Sequence, residues 1–235
     1  VFDGRVGKFT VKGDVRAVAL TASEGFAAIT VGGSLIESTI ASGTDLGAIK
    51  IKHDVVGTAA APVQILAYGQ AGEPARGLDV AIKSLTVGGR VEWAQIIAGA
   101  TGTLRNADAS IGAVKVGGDW VASSLTAGVY GGMDWLIGTG DDASYDDGGG
   151  AFTLRDNATR VAQIAAITIG GQVFGTAGID TDQFGIVAEH IRKASIGGVK
   201  VPLAPTRNDD FIALAPTGPG AGGRQSDLFL VEVLV

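Results

Sequence analysis

Residues 115–128 read KVGGDWVASSLTAG, and the phrase returns as TVGGSLIESTIAS at 30–42, TVGGRVEWAQIIAG at 86–99 and TIGGQVFGTAG at 168–178. Taking the second residue of the glycine pair as an anchor aligns Gly13, Gly33, His53, Gly89, Gly118 and Gly171. Four positions before it stand Phe9, Ile29, Ile49, Leu85, Val114 and Ile167, and two before it Val11, Val31, Ile51, Val87, Val116 and Ile169. Seven before it come Val6, Phe26, Leu46, Ile82, Ile111 and Ile164; two after it, Val15, Leu35, Val55, Val91, Trp120 and Val173. Every position is apolar. Between the first two columns run Thr10, Thr30, Lys50, Thr86, Lys115 and Thr168, the alternation of a strand with one buried face.

The first three anchors lie 20 residues apart. A unit of that length offers several short strands and cannot bury its own apolar face. Stacking such units at a spacing of about 4.8 Å places like columns above one another. The expected fold is all-β, a single-stranded parallel β-helix whose glycine pair marks a corner. There, positive φ or the close approach of adjacent coils would exclude a Cβ.

Composition agrees with this and removes several function classes. The 235 residues include 38 Gly and 46% apolar side chains but only 6% aromatics, which suits tight turns and a core of branched aliphatics. A net charge of −6 repels a phosphate backbone, so nucleic acid is not an expected partner. The lack of cysteine excludes disulfides, thiolate metal sites and a Cys nucleophile. The least polar stretch, 161–178, alternates like strands and carries Gln, Thr and Gly, so membrane insertion is not expected. The chain starts VFDGRV, without an initiator Met or a signal peptide, and reads as a piece of a longer protein.

IGAVKVGGDWVASSLTAG (111–128), QFGIVAEHIRKASIGGVKVPL (183–203) and LIGTGDD (136–142) resemble the large secreted or surface repeat proteins of environmental Gram-negative bacteria. The likeness runs from about residue 5 to 205. It implies right-handed β-helices and an extracellular or cell-surface setting, and it says little about an activity.

Departures from the repeat are where function is expected. The link between one coil's last column and the next coil's first is six residues from Leu20 to Phe26 and from Ile40 to Leu46. Later links lengthen: Ala60 to Ile82, Ile96 to Ile111, Leu125 to Ile164 and Ile179 to Ile196. The expected organisation is therefore β-helix coils over 1–205, with insertions at 61–81, 97–110, 126–163 and 180–195 leaving one corner and gathering along one edge. Residues 206–235 follow as an exit segment, begun at Pro202, and a final strand covering the open end.

Three kinds of site are weighed. In 126–163, DWLI and AFTL read as a protruding hairpin whose tip carries Asp141, Asp142, Asp146 and Asp147. Four carboxylates on a flexible tip suit Ca²⁺, although an acidic turn that stays hydrated is the commoner outcome. Trp93, Tyr130, Trp135 and Tyr145 fall outside the core columns, on or beside the long links. They would either stack on a sugar or a partner protein, or close the loops onto the body.

Third, catalysis on such a scaffold needs paired carboxylates on one outer face, where this chain carries Thr and Lys. Asp14, Asp54 and Asp119 sit just after the anchor, where Asp commonly bonds its own backbone in a turn. His53 and His190 read as structural. The resulting expectation is a structural or adhesion-type segment: a rigid scaffold with a loop edge for a surface protein or a polysaccharide, more a binder than an enzyme. The alternative is a polysaccharide-binding or polysaccharide-degrading lyase or hydrolase that uses the same edge.

Overall fold

The computed structural model describes residues 1–72, 74, 77–132, 136–145, 153–176, 182–207, 209–214 and 227–233. Among them there is no α-helix, and most strands lie parallel in three stacked sheets. A long-strand sheet runs through Arg5–Val11, Gly25–Val31, Asp45–Ile51, Asp79–Val87, Ala109–Val116, Gln163–Ile169 and Ala194–Ile196. A sheet of two-residue strands follows the glycine pairs, from Val15–Arg16 to Val173–Phe174. A third sheet stacks Ala19–Ala22, Thr39–Ser42, Val63–Ala67, Ala94–Ala98, Ser124–Ala127, Phe184–Ala188 and Leu228–Glu232. Each repeat gives one strand to each sheet and so forms one tier.

The columns read from sequence are the register. Phe9 pairs with Ile29, Ile29 with Ile49, Ile49 with Leu85, Leu85 with Val114 and Val114 with Ile167. Val15, Leu35, Val55, Val91, Trp120 and Val173 follow one another in the short-strand sheet. All three sheets supply one apolar cluster, in which Phe26, Leu35, Leu46, Val55, Ile65, Ile82 and Trp120 have no exposed surface. Inward side chains thus meet between the sheets, and Thr10, Thr30, Lys50 and Thr86 form the polar outer ladder.

The glycine pair has two separate causes, neither of them positive φ. A Cβ on Gly32, Gly88 or Gly117 would overlap the carbonyl oxygen of Lys12, Lys52 or Gly88 in the tier before. A Cβ on Gly33, Gly89 or Gly171 would overlap the carboxylate of Asp14, Asp54 or Asp119. Those aspartates do not bond their own turns, as their position suggested. They accept N–H groups from the next tier: Ser34 to Asp14 at 2.7 Å, Arg90 to Asp54 at 2.9 Å and Gln172 to Asp119 at 2.8 Å. His53 replaces the glycine in the tier above Ser34, where no carboxylate needs the space. Left-handed backbone appears one corner later, at Ala17, Glu37, Trp93 and Ala122, each four residues after its anchor.

Three expectations about organisation need correction. Insertions do not all leave one corner. In the third tier the column continues at Ile65, not Ala60, and in the sixth at Ile186, not Ile179. In those two tiers the extra length therefore falls, in chain order, between the second-sheet strand and the third-sheet strand. The ranges 61–81 and 180–195 accordingly contain the strands Val63–Ala67 and Phe184–Ala188, and the first column of the seventh tier falls on Ile191, in the short strand His190–Ile191, not on Ile196.

LFLVEVLV also does not cover the open end. Leu228–Glu232 is the last parallel strand of the third sheet, and Phe211–Ala213 pairs antiparallel along its edge. Gly197 and Gly198, with φ of 57° and 80°, turn Val199–Lys200 back on Ala194–Ile196, and Val201 and Leu203 pack on the core at that end.

The third correction concerns the hairpin. Val129–Tyr130 pairs with Ala143–Ser144, while Thr153–Arg155 runs parallel to Leu104–Asn106, so DWLI and AFTL do not pair among the described residues. Val129 and Ile137 instead lie on the outer face of the third sheet, in a second apolar cluster with Val187 and Val231.

Candidate functional site

The segments joining the third sheet back to the long-strand sheet meet one another, and buried polar groups hold them. Asp79, with no exposed surface, accepts the Gln70 N–H at 2.7 Å and Asn106 Nδ2 at 2.8 Å, and it pairs with Arg155. Arg155 also donates to the Gln70 carbonyl at 3.0 Å and lies over the Tyr68 ring, 4.9 Å from its centre. Three successive insertions are thereby joined at one carboxylate. Glu189, nearly buried, accepts from Ser144 Oγ and the Ala162 N–H and ties in the next tier.

At the C-terminal end of this edge is a cavity of about 750 Å³. Gln163, His190 and Arg192 reach it from the long-strand sheet, and Asn157, Thr159 and Arg160 from the longest insertion. The exit segment adds Thr206 and Arg207. The lining thus holds three guanidinium groups and an imidazole and, among the described residues, no carboxylate and no aromatic ring besides His190.

The cations differ in how far they are already satisfied. Arg160 donates to the Pro74 carbonyl and stands 3.9 Å from Asp108. Burial pushes the Asp108 carboxyl up to about 6, against the lowering effect of the Asn157 N–H that it accepts. His190 Nδ1 lies 3.1 Å from Oε1 of Glu232, and that oxygen also accepts the Ile191 N–H at 2.6 Å. Burial raises the Glu232 carboxyl too, opposed by that N–H and by His190. Arg192 uses Nε on Gln163 Oε1 at 2.6 Å, and its terminal nitrogens have no partner among the described residues. Exposed Arg207 has none there either. Two guanidinium forks therefore remain available.

The residues expected to form sites are placed elsewhere. Trp93 is half-buried at the corner between the second and third sheets and packs edge-on against Phe184, 5.6 Å between ring centres. Tyr130 and Tyr145 stack on each other at 5.9 Å, with Arg105 over the Tyr145 ring. Burial drives the Tyr145 hydroxyl up to about 12. These rings close loops on loops and form no common platform; Trp135 lies outside the described residues.

Asp142 is buried and accepts the Gly138 and Thr139 N–H groups at 2.7 and 3.1 Å, and Asp141 accepts Thr139 Oγ1. Both thus shape a turn, while Asp146 and Asp147 lie outside the described residues. Among those that are described, the acidic groups close enough to share a cation are Asp209, Asp210 and Glu232, one oxygen of each within 4.8 Å of the others. Asp210 there accepts the Ala204 N–H, and Asp209 the Thr206 hydroxyl.

Sequence reasoning missed the arginines because they stand on three separate segments, none forming a motif. Their one legible sign was the basic AEHIRK stretch at 188–193, in a chain that is otherwise acidic.

Fold and cavity together define an all-β protein of stacked parallel sheets with a cationic recess at its loop edge. No family model, curated protein or solved structure matches the chain. No helix among the described residues is long and apolar enough to cross a membrane.

Proposed function

We propose that this chain is a parallel β-helix segment of an extracellular or cell-surface repeat protein, acting as a rigid, adhesion-type scaffold whose loop edge meets a partner. The right hand of the helix is part of the proposal and rests on the resemblance to bacterial surface repeats. The observation that carries the scaffold reading is the uninterrupted ladder of inward residues through six tiers, with aspartates clipping each of three tiers to the next. Such a stack gains stability from each neighbouring pair of tiers and resists bending along its axis.

Binding is favoured over polysaccharide cleavage by the lining of the cavity. Lyase and hydrolase chemistry needs two convergent carboxylates, or one with a basic partner, in contact with substrate. Of the nearby carboxylates, Asp108 and Glu232 lie behind Arg160 and His190 and Asp209 accepts the Thr206 hydroxyl, all outside the lining. A glycan array combined with a lyase and hydrolase screen tests the reading. The expected result is retention of a defined set of glycans or of a surface protein, with no turnover. Cleavage of any polysaccharide would replace the scaffold with an enzyme.

A further inference from the structure

We infer that the cavity walled by Arg160, Arg192, Arg207 and His190 binds an oxyanion group, a carboxylate or sulfate, carried by a sugar. This rests on the proposal that the loop edge is the partner-binding face, and it specifies the chemistry of the ligand.

The first argument is charge. The whole chain carries −6, yet three guanidinium groups converge on one recess whose lining, among the described residues, contains no acid. Asp108 stands behind Arg160 and Glu232 behind His190, and Asp209 is held by the Thr206 hydroxyl. That leaves the cationic forks of Arg192 and Arg207. A guanidinium fork matches the two oxygens of a carboxylate or sulfate with a pair of parallel N–H···O bonds, which a point charge does not. Arg192 is also held ready: its Nε bond to Gln163 aims the remaining N–H groups without a further ordering cost.

Size and polarity narrow the ligand. About 750 Å³ lies in the range of small-ligand sites and holds one or two sugar rings. The described lining offers no large aromatic face, which removes the stacking that single-stranded nucleic acid binders rely on. It offers instead the hydroxyl oxygens of Thr159 and Thr206, whose protons go to Asn157 and Asp209 but which can still accept, and the Nε2 donor of Gln163, which suit the hydroxyls of a sugar. The chain's net charge of −6 disfavours long polyanions at low salt, so an isolated acidic sugar within a largely neutral chain fits better than a continuous polyuronate.

The test is isothermal titration of the intact chain with glucuronate, glucose 6-sulfate, inorganic phosphate and glucose. Binding of glucuronate or glucose 6-sulfate, with glucose at least tenfold weaker, is the expected result. Arg207→Ala, at an exposed position that cannot compromise folding, should weaken the acidic sugars by about tenfold, since a charge-assisted hydrogen bond is worth roughly that factor or more. Arg192→Lys, which keeps the charge and loses the fork, should weaken them severalfold. Lys115→Ala removes the same charge from the outer ladder and should change nothing.

Equal loss in Lys115→Ala and Arg207→Ala would reduce the effect to general electrostatics and overturn the site. So would glucose binding as tightly as glucuronate, or phosphate binding as tightly as the acidic sugars. If no acidic sugar binds while the array retains neutral glycans, this inference fails and the scaffold proposal stands. If the acidic sugars bind and are cleaved, the scaffold proposal fails and the site stands.

Discussion

Residues 5–56, which hold the first two tiers and the first two strands of the third, and the stretch that follows are built from the same columns but bury different things. In the first region the buried polar side chains among the described residues are Ser38 and Ser42, and successive anchors stay 20 residues apart. In the second, Asp79, Asn106, Asp108, Gln163, Glu189, Asp210 and Glu232 are all nearly or fully buried. Repetition needs only apolar columns and close-approaching backbones. Every buried charge belongs to a segment that departs from the repeat or abuts one. The comparison therefore separates what holds the stack together from what shapes its loop edge.

The largest expected effect comes from the carboxylate that joins three insertions. Asp79→Ala leaves the Arg155 side chain, 16% exposed, with only the Gln70 carbonyl and the Tyr68 ring for company. Breaking a buried pair by removing one partner costs about 3–5 kcal/mol. Thermal unfolding should fall accordingly, and hydrogen exchange should accelerate in 68–72, 99–108 and 153–160 while the strands of the first three tiers stay protected. Uniform loss of protection through Phe26, Ile29 and Leu46 would mean that the two regions are one cooperative unit and that the separation drawn above is false.

Next in size is a test of the repeat itself. Gly89→Ala pushes a methyl into the carboxylate of Asp54, and overpacking of this kind costs about 1–3 kcal/mol. Asp54→Ala gives up the bond from the Arg90 N–H, at about 1 kcal/mol. The double variant should be more stable than the sum of the two by about 1 kcal/mol or more, because the second change removes the atom that the first one strikes. The chain already holds the natural version of that pair in His53 above Ser34. Strict additivity in denaturant unfolding would show that the glycine is required for some other reason.

How far the sequence could be read follows from the same division. The inward columns were legible residue by residue because a strand's period of two and a fixed 20-residue spacing leave only one register that buries Val31, Ile51 and Val87 together. The third sheet was legible only where no insertion preceded it. Ala60 occupied the expected spacing, yet Ile65 takes the place, since Pro62 lacks the N–H a central strand must donate and Val63–Ala67 restores the alternation after it. The candidate site was hardly legible at all. Arg160, Arg192 and Arg207 converge through three chain segments, and a lone arginine in each carries no spacing signal. The aromatics drew attention because they fell outside the columns, but falling outside a column is equally what a ring does when it seals one loop against another, as Tyr130 and Tyr145 do.

A pH effect follows from Asp108, at the base of the insertions. Burial holds its carboxyl at about 6 in the folded chain, above the roughly 3.9 of an unfolded aspartate. The folded state therefore binds the proton more tightly. The stability this group contributes is fully present below about pH 4 and is lost as pH rises through about 6. Asp108→Asn keeps an acceptor for the Asn157 N–H without the charge. Thermal midpoints measured at pH 4, 5, 6 and 7 should fall less steeply for the variant than for the parent. Parallel profiles would show that the group is hydrated, which would put it with the exposed acids of the first tiers.

The smallest expected effect is the counterpart of the first. Arg5 reaches across Gly25 to Asp45 two tiers away and forks onto it with N–O distances of 2.7 and 2.9 Å, a better-formed pair on paper than many buried ones. The Arg5 side chain is nevertheless 45% exposed, so water and salt already screen what the geometry offers. Asp45→Ala should cost less than about 1 kcal/mol, and most of that difference should vanish in 0.5 M salt. Each aspartate opens a long strand, Asp45 one residue before the Leu46–Ile82 pair and Asp79 three before it, and both pair with an arginine from another tier. They differ in what lies above them: solvent over Asp45, the packed insertions over Asp79. If the two variants cost the same, the insertions exclude no water, and the recess they help to wall would lose the desolvation on which tight binding of an oxyanion depends.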